Sequence, residues 1–167
     1  MHLVITSAGP AHVAGITEIY NHAVEHTLSV WTSTLATVHE RQHWVTARQE
    51  AGFPVLVALT DSGEVAGYGS YGPFRQFPGY AGTVENSVYV SPNHQGKGIG
   101  TMLMNALIDH AHDADFRVMV AAIESGNTGS LILHERLGFR VVGELPGVGE
   151  KWGKPLDLTL MQRELNL

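Results

Sequence analysis

The segment Val88–Gly100, VYVSPNHQGKGIG, with the TMLMNALIDHA that follows it, restricts the fold more than any other stretch of the chain. It reads as an apolar strand, a break at Pro92, a loop with glycines at 96, 98 and 100, and then a helix. Ile99, Met102, Leu103, Ala106, Leu107 and His110 fall at helical spacing on one face of that helix. Glycines just before a helix leave successive N–H groups pointing at whatever lies beyond the positive end of its dipole. The loop is therefore either an anion cradle or a tight turn without a ligand.

Two nucleotide-binding readings fit poorly. A Walker A loop places its lysine after the last glycine and before Ser or Thr, whereas Lys97 sits between glycines. A dinucleotide fingerprint needs a third small residue where Thr101 stands, in a turn directly after the strand, and here SPNHQ intervenes.

Composition narrows the partners. A net charge of -6 argues against nucleic acid, which requires a basic face. The absence of cysteine excludes disulfides, thiolate metal sites and an acyl-cysteine intermediate. MHLVITSAGPAH has no basic segment followed by a long apolar run, and no stretch is apolar enough to span a bilayer, so a cytoplasmic protein is expected. The 167 residues suit one domain spanning 1–167, with no internal repeat or linker.

Along the chain, MHLVITSA reads as a strand ending at Gly9-Pro10, and residues 11–25 as an amphipathic helix. TLSVWTST has no helical period and reads as a loop. Thr37 with Glu40 forms a capping box that opens a helix to about Glu50. FPVLVALT and EVAGYGSYG are strands of a hairpin, and GPFRQFPGYAG is a loop before the strand TVENSVYV. RVMVAAI reads as a strand buried on both faces. Asn127 or Thr128 caps a helix carrying Leu131, Ile132 and Leu137 that stops at Gly138, and FRVVGEL and PLDLTLMQREL form a last pair of strands around the loop PGVGEKWGK. The expected class is α/β (α+β), a mixed and mostly antiparallel sheet with helices on both faces.

VYVSPNHQGKGIG resembles the acetyl-CoA motif of the GNAT acetyltransferases, Q/R-x-x-G-x-G/A, through Gln95, Gly98 and Gly100. NTGSLILHERLGF resembles the later motif of that superfamily, about thirty residues on. IYNHAVEHT, SYGPFRQFPGYAGTVENSVYV and GVGEKWGKPLD are similar to its phosphinothricin N-acetyltransferase branch, so the likeness covers nearly the whole chain. It implies the GNAT fold with acetyl-CoA as co-substrate. Val88, Tyr89 and Val90 would pair with the pantetheine arm. Gln95, Gly96, Lys97, Gly98, Ile99, Gly100 and Thr101 would hold the pyrophosphate, and Asn127 and Ser130 would stand near the arm. It also implies a small amino-acid-like acceptor and a homodimer with the acceptor pocket near the interface.

Transfer to an amine requires a group that takes a proton. Strand alternation places Glu85, Ser87 and Tyr89 on one face and Val84, Asn86, Val88 and Val90 on the other. Glu85 is well placed as a general base, directly or through water, and partial burial would raise its pKa into a useful range. The resemblance makes it the catalytic carboxylate of the branch. A strand N–H near Val88 or Val90 would suit the oxyanion. Many superfamily members have a tyrosine seven residues after the asparagine. Here His134 stands there, able to protonate the leaving thiolate or simply to pack. Arg75 offers a planar fork for a substrate carboxylate, with Phe74 beside it, and Trp31 and Thr32 fall where the branch shapes its amino-acid pocket.

Two rivals remain at this level. HERQH, His39 to His43, is a literal H-E-x-x-H that on a helix could hold zinc, yet Glu40 is already used by the capping box and no third ligand helix follows, so no metal is expected. A CoA-binding sensor without catalysis would keep the glycine loop, but would not need Glu85 and Arg75. Peptide N-termini and polyamines are the alternative acceptors.

Overall fold

The computed structural model describes residues 2–167. One seven-stranded sheet runs through it: β1 (Val4–Ser7), β2 (Val55–Leu59), β3 (Val65–Pro73), β4 (Thr83–Val90), β5 (Val118–Glu124), β6 (Arg140–Lys151) and β7 (Lys154–Glu164). The spatial order is β1-β2-β3-β4-β5-β7-β6, and β4 with β5 is the one parallel pair. Four α-helices complete it: α1 (Val13–His26), α2 (Val38–Glu50), α3 (Ile99–Asp113) and α4 (Thr128–Arg136). The mixed, mostly antiparallel sheet expected from the sequence is present. Among the described residues no helix is long and apolar enough to cross a membrane.

The two sheet faces carry separate cores. Val13, Ile16 and Ile19 of α1 and Val45 of α2 pack with Val55, Val57 and Tyr68 on one face. On the other, Met104, Leu107, Ile108 and Ala111 of α3 pack with Tyr71, Val84, Met119 and Ile123, flanked by Leu131, Leu133 and Leu137. The buried stripe of α3 is Ile99, Leu103, Met104, Leu107, Ile108 and Ala111. It is turned slightly from the face read in the sequence, and His110 lies at its exposed margin, bonded to the hydroxyl of Tyr71 at 2.5 Å. Leu107 is fully buried in the larger cluster. Leu107→Ala is expected to destabilise the fold by about 2–5 kcal/mol, read as a lower urea midpoint at unchanged slope.

Three local expectations shift. Ile132 is exposed, because Leu131, Leu133 and Leu137 carry the packing of α4. Ala122 in β5 is exposed, so this strand is not covered on both faces along its length. PGVGEKWGK is not a loop: β6 and β7 run through it and turn only at Trp152-Gly153, both at positive φ (55° and 72°). Register shifts between Val141 and Gly143 and between Leu145 and Gly149 absorb the irregularity. Pro146 is tolerated because β6 is an edge strand.

Candidate active site

The site begins where β4 and β5 part. They pair only through Thr83–Val118, Val84–Met119 and Glu85–Val120. From Asn86 onward the β4 backbone on that side has no strand partner, while its other side stays paired to β3 as far as Val90. A cavity of about 430 Å³ fills the cleft. Val88, Tyr89, Val90, Gln95, Gly96, Gly98, Ile99, Gly100, Asn127, Ser130 and His134 line it, together with Ser29 and the β5 segment Ala121–Glu124. Most of the cofactor-binding residues expected from the sequence therefore meet in one place. Lys97 and Thr101 belong to the same loop and helix start but are exposed and do not line the cavity.

Local chemistry explains why the loop is free to hold an anion. Thr37 caps α2 by accepting from the N–H of Glu40 at 3.1 Å, and Asn127 caps α4 by accepting from Ser130 at 3.2 Å. The N-terminus of α3 has no side-chain cap and no acidic residue in its first turn. Its N-cap is Gly98, with φ 78°. Gly96 has φ 76°, and a side chain at either position would meet no protein atom within 4 Å. A left-handed backbone is cheap only for glycine, and here it leaves helix-end N–H groups unshielded. A free β4 edge and an uncapped, positively poised helix end fit a ligand with an amide-bearing arm and a pyrophosphate.

His134 forms part of the cavity wall. It is 4% exposed, and its Nδ1 stands 2.8 Å from the Ser130 carbonyl, which assigns the proton of the neutral ring to Nδ1. Its Nε2 is 3.3 Å from Oδ1 of buried Asn86, a pair that becomes a hydrogen bond only when Nε2 carries a proton, and the Asn86 amide nitrogen donates to the Val120 carbonyl at 3.4 Å. Burial lowers the pKa of His134, opposed by the Ser130 carbonyl. Asn86 thus sits at the point where the strands separate. A polar residue on the otherwise apolar Val84–Val88–Val90 face was the sequence signal for it.

Glu85 occupies the last paired position, on the α1/α2 side of the sheet with Ser87 and Tyr89. Burial raises its pKa, and the guanidinium of Arg48 pulls against that rise. Arg48 lies across Gly72, the β3 partner of Glu85, and donates to Ser70 Oγ at 3.3 Å. Its own pKa is lowered by burial and then by Arg41. Arg48 escaped the sequence reading, because its two-turn spacing from Arg41 gives no hint of which strand it crosses.

The expected acceptor residues divide. Trp31 and Thr32 are half-buried in the α1–α2 loop, the loop that brings Ser29 to the cavity. Arg75 is exposed, with its guanidinium carbon 5.5 Å from the Phe74 ring centroid, and it lines a separate apolar groove with Phe53, Phe77, Tyr80 and Phe116. Phe74 and Arg75 do not line the cavity. The rings of His39 and His43 are 4.8 Å apart on α2, and among the described residues no cluster of three or more His, Cys, Asp or Glu stands where it could hold a metal.

A strand pair opened over an uncapped helix end, with a half-buried carboxylate at the opening, is the apparatus of a CoA-dependent acyltransferase. Comparison with known proteins gives the family. Residues 16–139 match the model of the acetyltransferase (GNAT) family, and the chain belongs to it. It is 50% identical, over 99% of its length and 96% of the relative's, to an L-methionine sulfoximine/L-methionine sulfone acetyltransferase of Pseudomonas paraeruginosa. It is 38% identical, over 90% of its length and 89% of the relative's, to a phosphinothricin N-acetyltransferase of Streptomyces coelicolor. Among solved structures, an acetyltransferase from Salmonella typhimurium with its cofactor acetyl-CoA superposes with a TM-score of 0.96 at 48% identity, covering 100% of this chain and 96% of that one. A ribosomal-protein-alanine N-acetyltransferase from Brucella melitensis gives a TM-score of 0.95 at 45% identity, covering 97% and 99%. The protein is an N-acetyltransferase, and acetyl-CoA is its co-substrate.

Proposed function

We propose that the protein moves the acetyl group of acetyl-CoA directly onto the α-amine of a small amino acid of the methionine sulfoximine, methionine sulfone or phosphinothricin type. The observation that carries the reading is the position of Glu85, half-buried at the last β4–β5 pair, one residue before the cavity-lining part of β4, with its pKa raised by burial. The amine forms a C–N bond as the C–S bond breaks, and its proton passes to Glu85, directly or through one water. The free backbone of β4 near Val88 and Val90 aligns the thioester and faces the developing oxyanion. No enzyme-bound acyl group is needed, and no cysteine exists to carry one.

His134 protonates the departing sulfur only when Nε2 carries a proton, which in a ring already protonated on Nδ1 means an imidazolium that burial disfavours. Its primary role in this reading is to pack as part of the cavity wall, held by its Nδ1–H bond to the Ser130 carbonyl. Trp31 and Thr32 wall the acceptor. Arg75 lies outside the cavity of its own chain, so its role as carboxylate fork goes with the homodimer and interface-proximal pocket implied by the branch.

The second reading, acetylation of peptide N-termini, is favoured by the likeness to the Brucella protein. Thiol release with acetyl-CoA separates the two. Methionine sulfone, methionine sulfoximine and phosphinothricin should give saturable turnover with intersecting initial-velocity lines. Parallel lines would contradict direct transfer, and tight acetyl-CoA binding without turnover on any amine would make the protein a CoA sensor.

A further inference from the structure

The β6–β7 hairpin holds a buried cation that the chemistry above does not use. Lys151, the last residue of β6, is only 3% exposed. Its Nζ donates to the carbonyls of Val24 at 2.7 Å, Thr27 at 2.6 Å and Val30 at 2.6 Å. An ammonium has three donors and no acceptor, so these three bonds satisfy it completely. Val24 belongs to the last turn of α1, where carbonyls lack helical partners, and Thr27 and Val30 belong to the loop that follows. No carboxylate takes part. The charge is balanced by these carbonyl dipoles and by the ring of Trp152, whose centroid lies 4.7 Å from Nζ, so the hydrogen bonds fix the loop backbone rather than any loop side chain.

A second contact on the same strand grips the same loop. Gly149 packs against the Trp31 ring, and a Cβ there would clash with its Cζ3 and Cε3 atoms. The indole Nε1 donates to the Leu28 carbonyl at 2.8 Å, closing the loop on itself. The strand end therefore seizes the loop by its backbone at 24, 27 and 30 and by its ring at 31. Between these points is Ser29, which lines the cavity.

We propose that Lys151 is a positioning residue for the acceptor: its ammonium, with the bare Cα of Gly149, clamps the 27–32 loop and so sets where Ser29, Trp31 and Thr32 stand at the cleft. The proposal rests on the reading of that loop as the acceptor wall. It assigns Lys151 no contact with either substrate.

Two variants test it from opposite sides. Lys151→Met keeps the apolar stem and removes the three donors, whereas Gly149→Ala keeps the ammonium and adds one methyl against Trp31. Each is expected to raise the KM for the amino-acid acceptor about tenfold or more, with the KM for acetyl-CoA within about twofold of the parent. Lys151→Arg should fail to restore the acceptor KM, because a planar fork cannot meet three converging carbonyls. Amide hydrogen exchange, followed by mass spectrometry on the unliganded protein, should speed up across 27–32 in both variants and stay unchanged in α3. A parental acceptor KM in both variants, or unchanged exchange at 27–32, overturns the clamp. Should the parent enzyme acetylate no small amino acid, the reading of the acceptor fails, and the exchange result still decides whether the clamp exists.

Discussion

Glu85→Gln is expected to lower kcat/KM for the amine by about 10²- to 10⁴-fold, leaving the KM for acetyl-CoA nearly unchanged. The asymmetry follows from geometry. In the proposed binding mode the acyl donor would lie along the β4 backbone, the glycine loop and the start of α3, which line the cavity, while the Glu85 side chain faces the α1/α2 side of the sheet. The pH profile provides an independent sign. A base works deprotonated, and burial raises the pKa of Glu85 against the opposing pull of Arg48. The parent rate should therefore fall as pH drops through a value above the usual carboxylate range, and the glutamine variant should lack that acidic limb. Parental rates in Glu85→Gln at every pH would remove Glu85 from the chemistry.

Gly98→Ala carries the second large effect. With φ at 78°, a Cβ at this N-cap forces an L-residue into the left-handed region at about 1–2 kcal/mol. The loop relieves that strain by turning its N–H groups away from the anion they face. The KM for acetyl-CoA should rise about five- to thirtyfold, with the acceptor KM little altered. Gly63→Ala is the matching control. Its φ is 83°, a side chain there also meets nothing within 4 Å, and it lies in the β2–β3 turn away from the cavity. It should lose similar stability and bind acetyl-CoA normally. An equal rise in the acetyl-CoA KM for both variants would show that the Gly98 effect is general strain.

Much of the architecture was legible because local signals agreed with one another. The N-cap at Thr37, the period of α3 and the alternation of β4 each named an element by its own chemistry, although Glu40 accepts from the Thr37 hydroxyl instead of closing a reciprocal capping box. The strand and glycine loop that line the cavity were legible for the same reason, being contiguous in sequence from Val88 to Gly100. PGVGEKWGK misled because three glycines and a proline resemble a loop, when an edge strand and its turn accommodate them with register shifts. The acceptor side was less legible because it is assembled across elements. Arg48 lies over Gly72, the β3 partner of Glu85, and Lys151 meets backbone carbonyls, which leave no trace in the identity of Val24, Thr27 or Val30. Arg75 reads as a carboxylate fork in sequence, yet within one chain it lines a different groove.

The most direct test is a competition. Methionine sulfone, an alanine-terminated peptide and spermidine at equal concentration are supplied with acetyl-CoA labelled in the acetyl carbonyl, and products are identified by mass spectrometry at low conversion. The account predicts that the label is found chiefly on the α-nitrogen of methionine sulfone, and that Glu85→Gln abolishes this product. Label confined to the peptide or to spermidine would contradict it.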